Sequence, residues 1–167
     1  KLLESGDKGP NTGSMGCITY SDHMAPFLTE IDIKTAREVN TKTVIFLKND
    51  NNEMYKGILY GSYIKCDSGE IKLIEFNARY GDPECVNVME LLESSLLDIF
   101  NYIIEGNLEM LSPIYSKNTI ISKYLVPDFY PEKKDISYTI DNKWFKNNNK
   151  NIICSSINKL KNKLHST

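Results

Sequence analysis

Ile74-Glu75-Phe76-Asn77-Ala78-Arg79-Tyr80-Gly81-Asp82-Pro83-Glu84 decides how the rest of this chain is read. Three carboxylates (Glu75, Asp82, Glu84), one amide (Asn77) and one guanidinium (Arg79) crowd the end of an apolar run, Ile71-Lys72-Leu73-Ile74, that has strand character. A surface hairpin has little use for so many hard oxygen donors beside an apolar strand. A site that holds a metal ion and phosphate needs them.

The two-residue period of a strand predicts Ile71, Leu73, Glu75 and Asn77 on one face and Lys72, Ile74 and Phe76 on the other. Glu75 and Asn77 then project together from a buried strand end, ~7 Å apart. A carboxylate beside an amide oxygen suits Mg²⁺, which fills its octahedron with water and substrate phosphates. The pair is too sparse for a calcium cage and too hard for zinc. Arg79 offers a planar fork for phosphate oxygens. Asp82 and Glu84 lie on a Gly-Pro turn at a predicted helix start, where acids also suit the macrodipole. For these two a helix-capping role with pairing to Arg79 stands beside the functional one.

Working outward, Tyr55–Lys65 reads as a strand, Cys66-Asp67-Ser68-Gly69 as a turn and Glu70–Ala78 as the returning strand. Upstream, Asp32 to Phe46 has helical spacing at Ile33, Ala36, Val39 and Thr43. Residues 5–16, Ser-Gly-Asp-Lys-Gly-Pro-Asn-Thr-Gly-Ser-Met-Gly, form a glycine-rich irregular loop that can offer backbone N–H groups to an anion. It is not a P-loop, because no Gly-Lys-Ser/Thr follows. Cys17–Tyr20 is extended. After Pro83 the pattern turns helical up to Gly106, a C-cap residue. Beyond Pro113, strands are expected at Thr119–Val126, Ile136–Ile140 and Ile152–Cys154, with Trp144 half-buried.

Composition narrows the classes. An apolar fraction of 41% supports a folded core, and a formal charge of −2 gives no basic field for nucleic acid. No apolar run reaches the ~20 residues of a membrane span. Cys17, Cys66, Cys85 and Cys154 are scattered, as reduced thiols of a cytoplasmic protein would be. His23 and His165 lack partner patterns and read as surface residues; no triad supports covalent catalysis. Lys1 stands where a start would have Met, and the chain reads as part of a longer protein.

Gly9-Pro10-Asn11-Thr12-Gly13-Ser14-Met15-Gly16, followed by Glu75 to Glu84, resembles the phosphoribosylamine–glycine ligases (glycinamide ribonucleotide synthetases) of the ATP-grasp superfamily. Gly57-Ile58-Leu59-Tyr60, Ser122 to Pro127 and Tyr130-Pro131-Glu132 extend the likeness over nearly the whole chain. The resemblance implies an α+β fold: the C-terminal part of an ATP-grasp domain, an antiparallel sheet with helices, over residues 1–111. A partial, mostly-β C-terminal domain would follow over 112–167. It implies ATP-driven joining of glycine to 5-phosphoribosylamine through glycyl phosphate, in purine biosynthesis. Carried over by position, Glu75 and Asn77 hold Mg²⁺ (or Mn²⁺), and Glu75 and Arg79 face ATP. Arg79 and Asp82 act in catalysis, while Asp7, Pro10, Asn11, Thr12, Gly13, Gly16, Asp82 and Glu84 shape the substrate end. The implied partners are small molecules, with the protein a monomer or part of a multifunctional purine enzyme. Ser14 departs from the family's usual glycine, Cys17-Ile18 from Ala-Tyr, and Ser62-Tyr63 from a more apolar pair. The 167 residues alone are expected to lack ligase turnover, the first ATP-binding lobe lying upstream. Another ATP-grasp carboxylate–amine ligase, and a non-catalytic binding module built on the fold, remain as alternatives.

Overall fold

The computed structural model describes residues 2–6, 8–51, 54–132, 137–141, 143, 146–147, 151–160 and 163–166. Among them the fold is mixed α and β, with three α-helices and four small antiparallel sheets. The chain divides into two compact units, Lys1–Leu125 and Val126–Thr167.

The first unit opens with strands β1 (Leu2–Glu4) and β2 (Lys8–Asn11), which pair with each other. The expected irregular loop therefore contains a strand. β3 (Gly16–Thr19) pairs not with a neighbour in sequence but with β6 (Ile120–Lys123). Between them lies helix α1 (Glu30–Asn51), longer than predicted at both ends. A Thr-x-x-Asp capping box sets its start: Thr29 Oγ1 accepts from the Asp32 N–H at 3.3 Å, and Asp32 Oδ2 accepts from the Thr29 N–H at 2.8 Å. Within the helix the β-branched Thr43 is accommodated because its hydroxyl donates to the Val39 carbonyl at 3.0 Å.

Strands β4 (Tyr60–Lys65) and β5 (Ile71–Asn77) form the expected hairpin. β4 starts later than predicted, after Gly57 at φ +147° and a local bond from the Tyr55 hydroxyl to the Ile58 carbonyl at 2.7 Å. The alternation expected along β5 does not hold throughout. Ser62 faces Glu75 while Tyr63 faces Leu73, so Ile74 is an extra residue without a partner. Such a bulge ends the shared face of Ile71 and Leu73 with Glu75 and Asn77, and leaves Leu73, Ile74 and Glu75 all exposed.

The helical run after Pro83 is two helices, α2 (Glu84–Leu91) and α3 (Leu96–Glu105). They separate because Leu92 turns extended and bridges to Tyr115, and Ser95 caps α3 by accepting the Asp98 N–H at 3.2 Å. Gly106 ends α3 in the left-handed conformation, as expected. Leu91 and Ile99 are the buried apolar residues among those described, whereas Leu97, Phe100 and Ile104 of α3 are exposed.

In the second unit β7 (Thr139–Ile140), β8 (Ile157–Leu160) and β9 (Lys163–Ser166) form one sheet in the order β7-β9-β8. The strand predicted at Ile152–Cys154 is absent there; extended pairing starts at Ile157, after Ser156 at φ +53°. Trp144, Ile136 and residues 148–150 lie outside the described residues. No described helix is long and apolar enough to cross a membrane.

Candidate functional site

Past the bulge, β5 alternates again, and Glu75 and Asn77 share a face: Asn77 Nδ2 donates to Glu75 Oε1 at 2.9 Å. The strand end is not buried as predicted. Glu75 is exposed and Asn77 half-buried, because the bulge turns this edge of the hairpin to solvent. Among the described residues no group of three or more His, Cys, Asp or Glu could hold a metal. The expected pair offers one exposed carboxylate and the oxygen of one half-buried amide. It fits a hard cation completed by water and phosphate, and fits no cation needing a full protein cage.

Arg79 follows the strand, exposed, with Nη1 donating to the Tyr80 carbonyl at 2.7 Å. Arg79, Tyr80, Gly81, Asp82 and Cys85 line an open depression of about 470 Å³. The Asp82–Pro83 peptide is cis, and Asp82 is exposed with its Oδ1 accepting from the Tyr124 hydroxyl at 2.6 Å. Glu84 begins α2, half-buried, where Pro83 supplies no side-chain cap. Its carboxylate lies against Tyr60, whose phenol is pushed up first by burial and then by the Glu84 charge. Gly81 makes this fit possible: a Cβ there would overlap the Glu84 carboxylate and come within 2.9 Å of Tyr60 Cζ. Because Tyr60 also faces Asn77 across the hairpin, it joins the strand end to the acidic turn. Burial, then Tyr115 and Cys85, push the Tyr80 phenol up.

The glycine-rich segment reaches the same region at its C-terminal end. Asp7 lies outside the described residues. Pro10, Asn11 and Gly13 are exposed, Thr12 is half-buried, and open space surrounds Gly13. Ser14 is buried and folds onto Gly16, accepting its N–H at 3.3 Å and donating to its carbonyl at 3.2 Å. The extra side chain thus serves the loop's own backbone. Gly16 sits at φ +145°, and a Cβ there would overlap the Ser122 carbonyl and stand 3.0 Å from Lys123 Cα. Its place is fixed by close contact with β6.

Two residues to which the sequence reading gave no site role bring these segments together. Asn87 is fully buried, with Nδ2 donating to the Ile120 carbonyl at 3.1 Å, Thr19 Oγ1 at 3.2 Å and the Cys17 carbonyl at 3.5 Å. Its Oδ1 accepts from the Ser122 hydroxyl. It pins α2, which begins at the acidic turn, onto β3 and β6. An amide four residues before the buried Leu91, on the same helical stripe, was the available signal. Tyr124 bonds Met15 and Asp82 at once, its N–H reaching the Met15 carbonyl at 3.1 Å. His23 is exposed, with Nε2 3.0 Å from the Ser116 carbonyl, and His165 lies 3.4 Å from Thr139 Oγ1 in the second unit. Neither offers a catalytic constellation.

Residues 1–85 match the family model described as phosphoribosylglycinamide synthetase, ATP-grasp (A) domain. The chain is 41% identical over 143 residues to a phosphoribosylamine–glycine ligase of Methanosarcina barkeri, covering 84% of this chain and 33% of that protein. It is 46% identical over 127 residues to the protein of the same name from Methanothermobacter thermautotrophicus, covering 76% of this chain and 28% of the relative. For the Pyrococcus horikoshii ligase the identity is 38% over 154 residues, 91% of this chain and 34% of the relative. The chain spans about a third of the length of the curated relatives it matches.

Proposed function

Because this chain belongs to the phosphoribosylglycinamide synthetase ATP-grasp family, we propose that it forms the metal and substrate end of a phosphoribosylamine–glycine ligase. The observation that carries the reading is the clustering around one turn. Tyr60 joins the Glu75–Asn77 strand end to the turn, the Arg79–Asp82 depression lies on it, and the glycine-rich loop is fastened to it through Tyr124.

In this reading a glycine carboxylate oxygen attacks the γ-phosphorus of ATP and the bond to the β-phosphate bridging oxygen breaks, giving glycyl phosphate and ADP. The amine of 5-phosphoribosylamine then attacks the acyl carbon, loses a proton, and expels phosphate. Mg²⁺, or Mn²⁺, when bound supplies charge neutralisation on the phosphates. Glu75 and Asn77 would hold it, and Glu75 and Arg79 form the ATP-facing side. Arg79, exposed at the rim, offers a planar fork to the transferring phosphoryl oxygens. Asp82 faces the reacting end, and Glu84 supports the turn through Tyr60. Pro10, Asn11, Thr12, Gly13 and Gly16 form the opposite wall toward glycine and phosphoribosylamine. No groups for covalent catalysis are needed, since positioning and electrostatics drive such transfers.

We place residues 1–111 in the C-terminal part of the ATP-grasp domain and 112–167 in a partial, mostly-β domain. The test is ADP release by the full-length protein. It should require both glycine and 5-phosphoribosylamine together with a divalent cation. Turnover supported better by a different acid or amine would point to another ATP-grasp ligase, and none with any pair would leave a binding module.

A further inference from the structure

We propose that Tyr124 is a positioning residue of this site: it sets the Asp82 carboxylate on the rim of the depression and fastens that turn to the glycine-rich loop. Its N–H donates to the Met15 carbonyl at 3.1 Å and its hydroxyl to Asp82 Oδ1 at 2.6 Å. The residue itself is well anchored. It follows Lys123, the partner of Gly16 in the β3–β6 ladder, and that ladder is pinned by buried Asn87. Asp82 has the opposite character, exposed on a turn where packing does little to select a rotamer. A short bond from a neutral phenol to a carboxylate is a charge-assisted one, strong enough to select an orientation. Misplacement of a reacting or binding group by about 1 Å can cost two orders of magnitude in rate. One tyrosine therefore couples the two long motifs, which are otherwise far apart in sequence.

The role rests on the ligase reading, because it presumes that Asp82 serves the reaction. The full-length protein is compared with Tyr124→Phe, Asp82→Asn and the double variant, by ADP release with both substrates and by melting midpoint. Tyr124→Phe keeps the ring and the backbone bond. It should lower kcat/KM about tenfold, as loss of one hydrogen bond to a charged group does. It should cost little further in the Asp82→Asn background. Unchanged kcat/KM, or losses that multiply as those of a merely structural tyrosine would, overturn the proposal. Wild-type protein without substrate-dependent ADP release would sink the ligase reading instead. The melting-point cycle then decides Tyr124, with non-additivity supporting the coupling to Asp82 and additivity overturning it.

Discussion

Asn87 and Asn77 are the same residue type ten positions apart, on either side of one acidic turn, and their surroundings differ completely. Asn87 is fully buried, and both ends of its amide are occupied by β3 and β6. Asn77 stands half-buried at a bulged strand end, its amide nitrogen bonded to the exposed Glu75 carboxylate. A buried amide with no partner costs much, so Asn87 can persist only where the sheet completes it. An exposed carboxylate beside a half-buried amide loses little by standing open, as the proposed metal-ligand pair would need. The difference separates scaffold from site more cleanly than residue chemistry does.

The largest expected effect breaks the comparison if it fails. Glu75→Ala in the full-length protein should lower kcat about a thousandfold, the several kcal/mol expected from lost charge neutralisation. Because Glu75 is exposed, its stability should move by no more than about 0.5 kcal/mol. Asn87→Leu should do the reverse in kind. It leaves the Ser122 hydroxyl and the Ile120 and Cys17 carbonyls without their amide, and should cost about 3 kcal/mol in denaturant unfolding. A large stability loss at Glu75 with a negligible one at Asn87 would invert the assignment of site and scaffold.

The site side of this contrast was the more legible in sequence. Glu75, Asn77, Arg79 and Asp82 were singled out by charge density at a strand end, and the structure gathers them around one turn. What period-2 counting could not see was the bulge at Ile74, because an extra residue is invisible to a rule that assumes perfect alternation. That one residue exposes a strand end expected to be buried. The scaffold was less legible because its key bonds are non-local: Asn87 and Tyr124 act on partners far away in sequence. The hairpin and the stop at Gly106 were readable since both are set by local turn chemistry. The break between α2 and α3 was missed because apolar spacing runs on across Leu92, and only the Ser95 cap and the Tyr115 bridge reveal it.

A smaller effect sharpens the scaffold side. Thr29→Ala removes the hydroxyl half of the α1 capping box and should cost about 1 kcal/mol. Thr29→Ser should recover most of it, since the same oxygen remains. Circular dichroism melts of both variants check this, and equal losses would show that the cap is not what starts α1 at Glu30.

The last and smallest effect is a pH dependence carried by the same cap. Lys65, 2.6 Å from Asp32 Oδ2, and then the Thr29 N–H hold the Asp32 carboxyl below its ordinary 3.8. A carboxylate whose folded pKa is depressed adds stability that is complete above its unfolded value and is lost as pH falls through the folded one. Wild-type protein should therefore exceed Asp32→Asn by a constant margin above about pH 5, and the margin should shrink below about pH 4. Lys65→Met should shrink it too, because the Lys65 bond is the leading cause of the shift. A margin that grows on acidification would mean that the protonated form of Asp32 is the one the fold prefers. The Lys65 bond joins the start of α1 to the end of β4, so losing it should loosen the hairpin at the end remote from Asn77 and leave the Glu75–Asn77 pair in place.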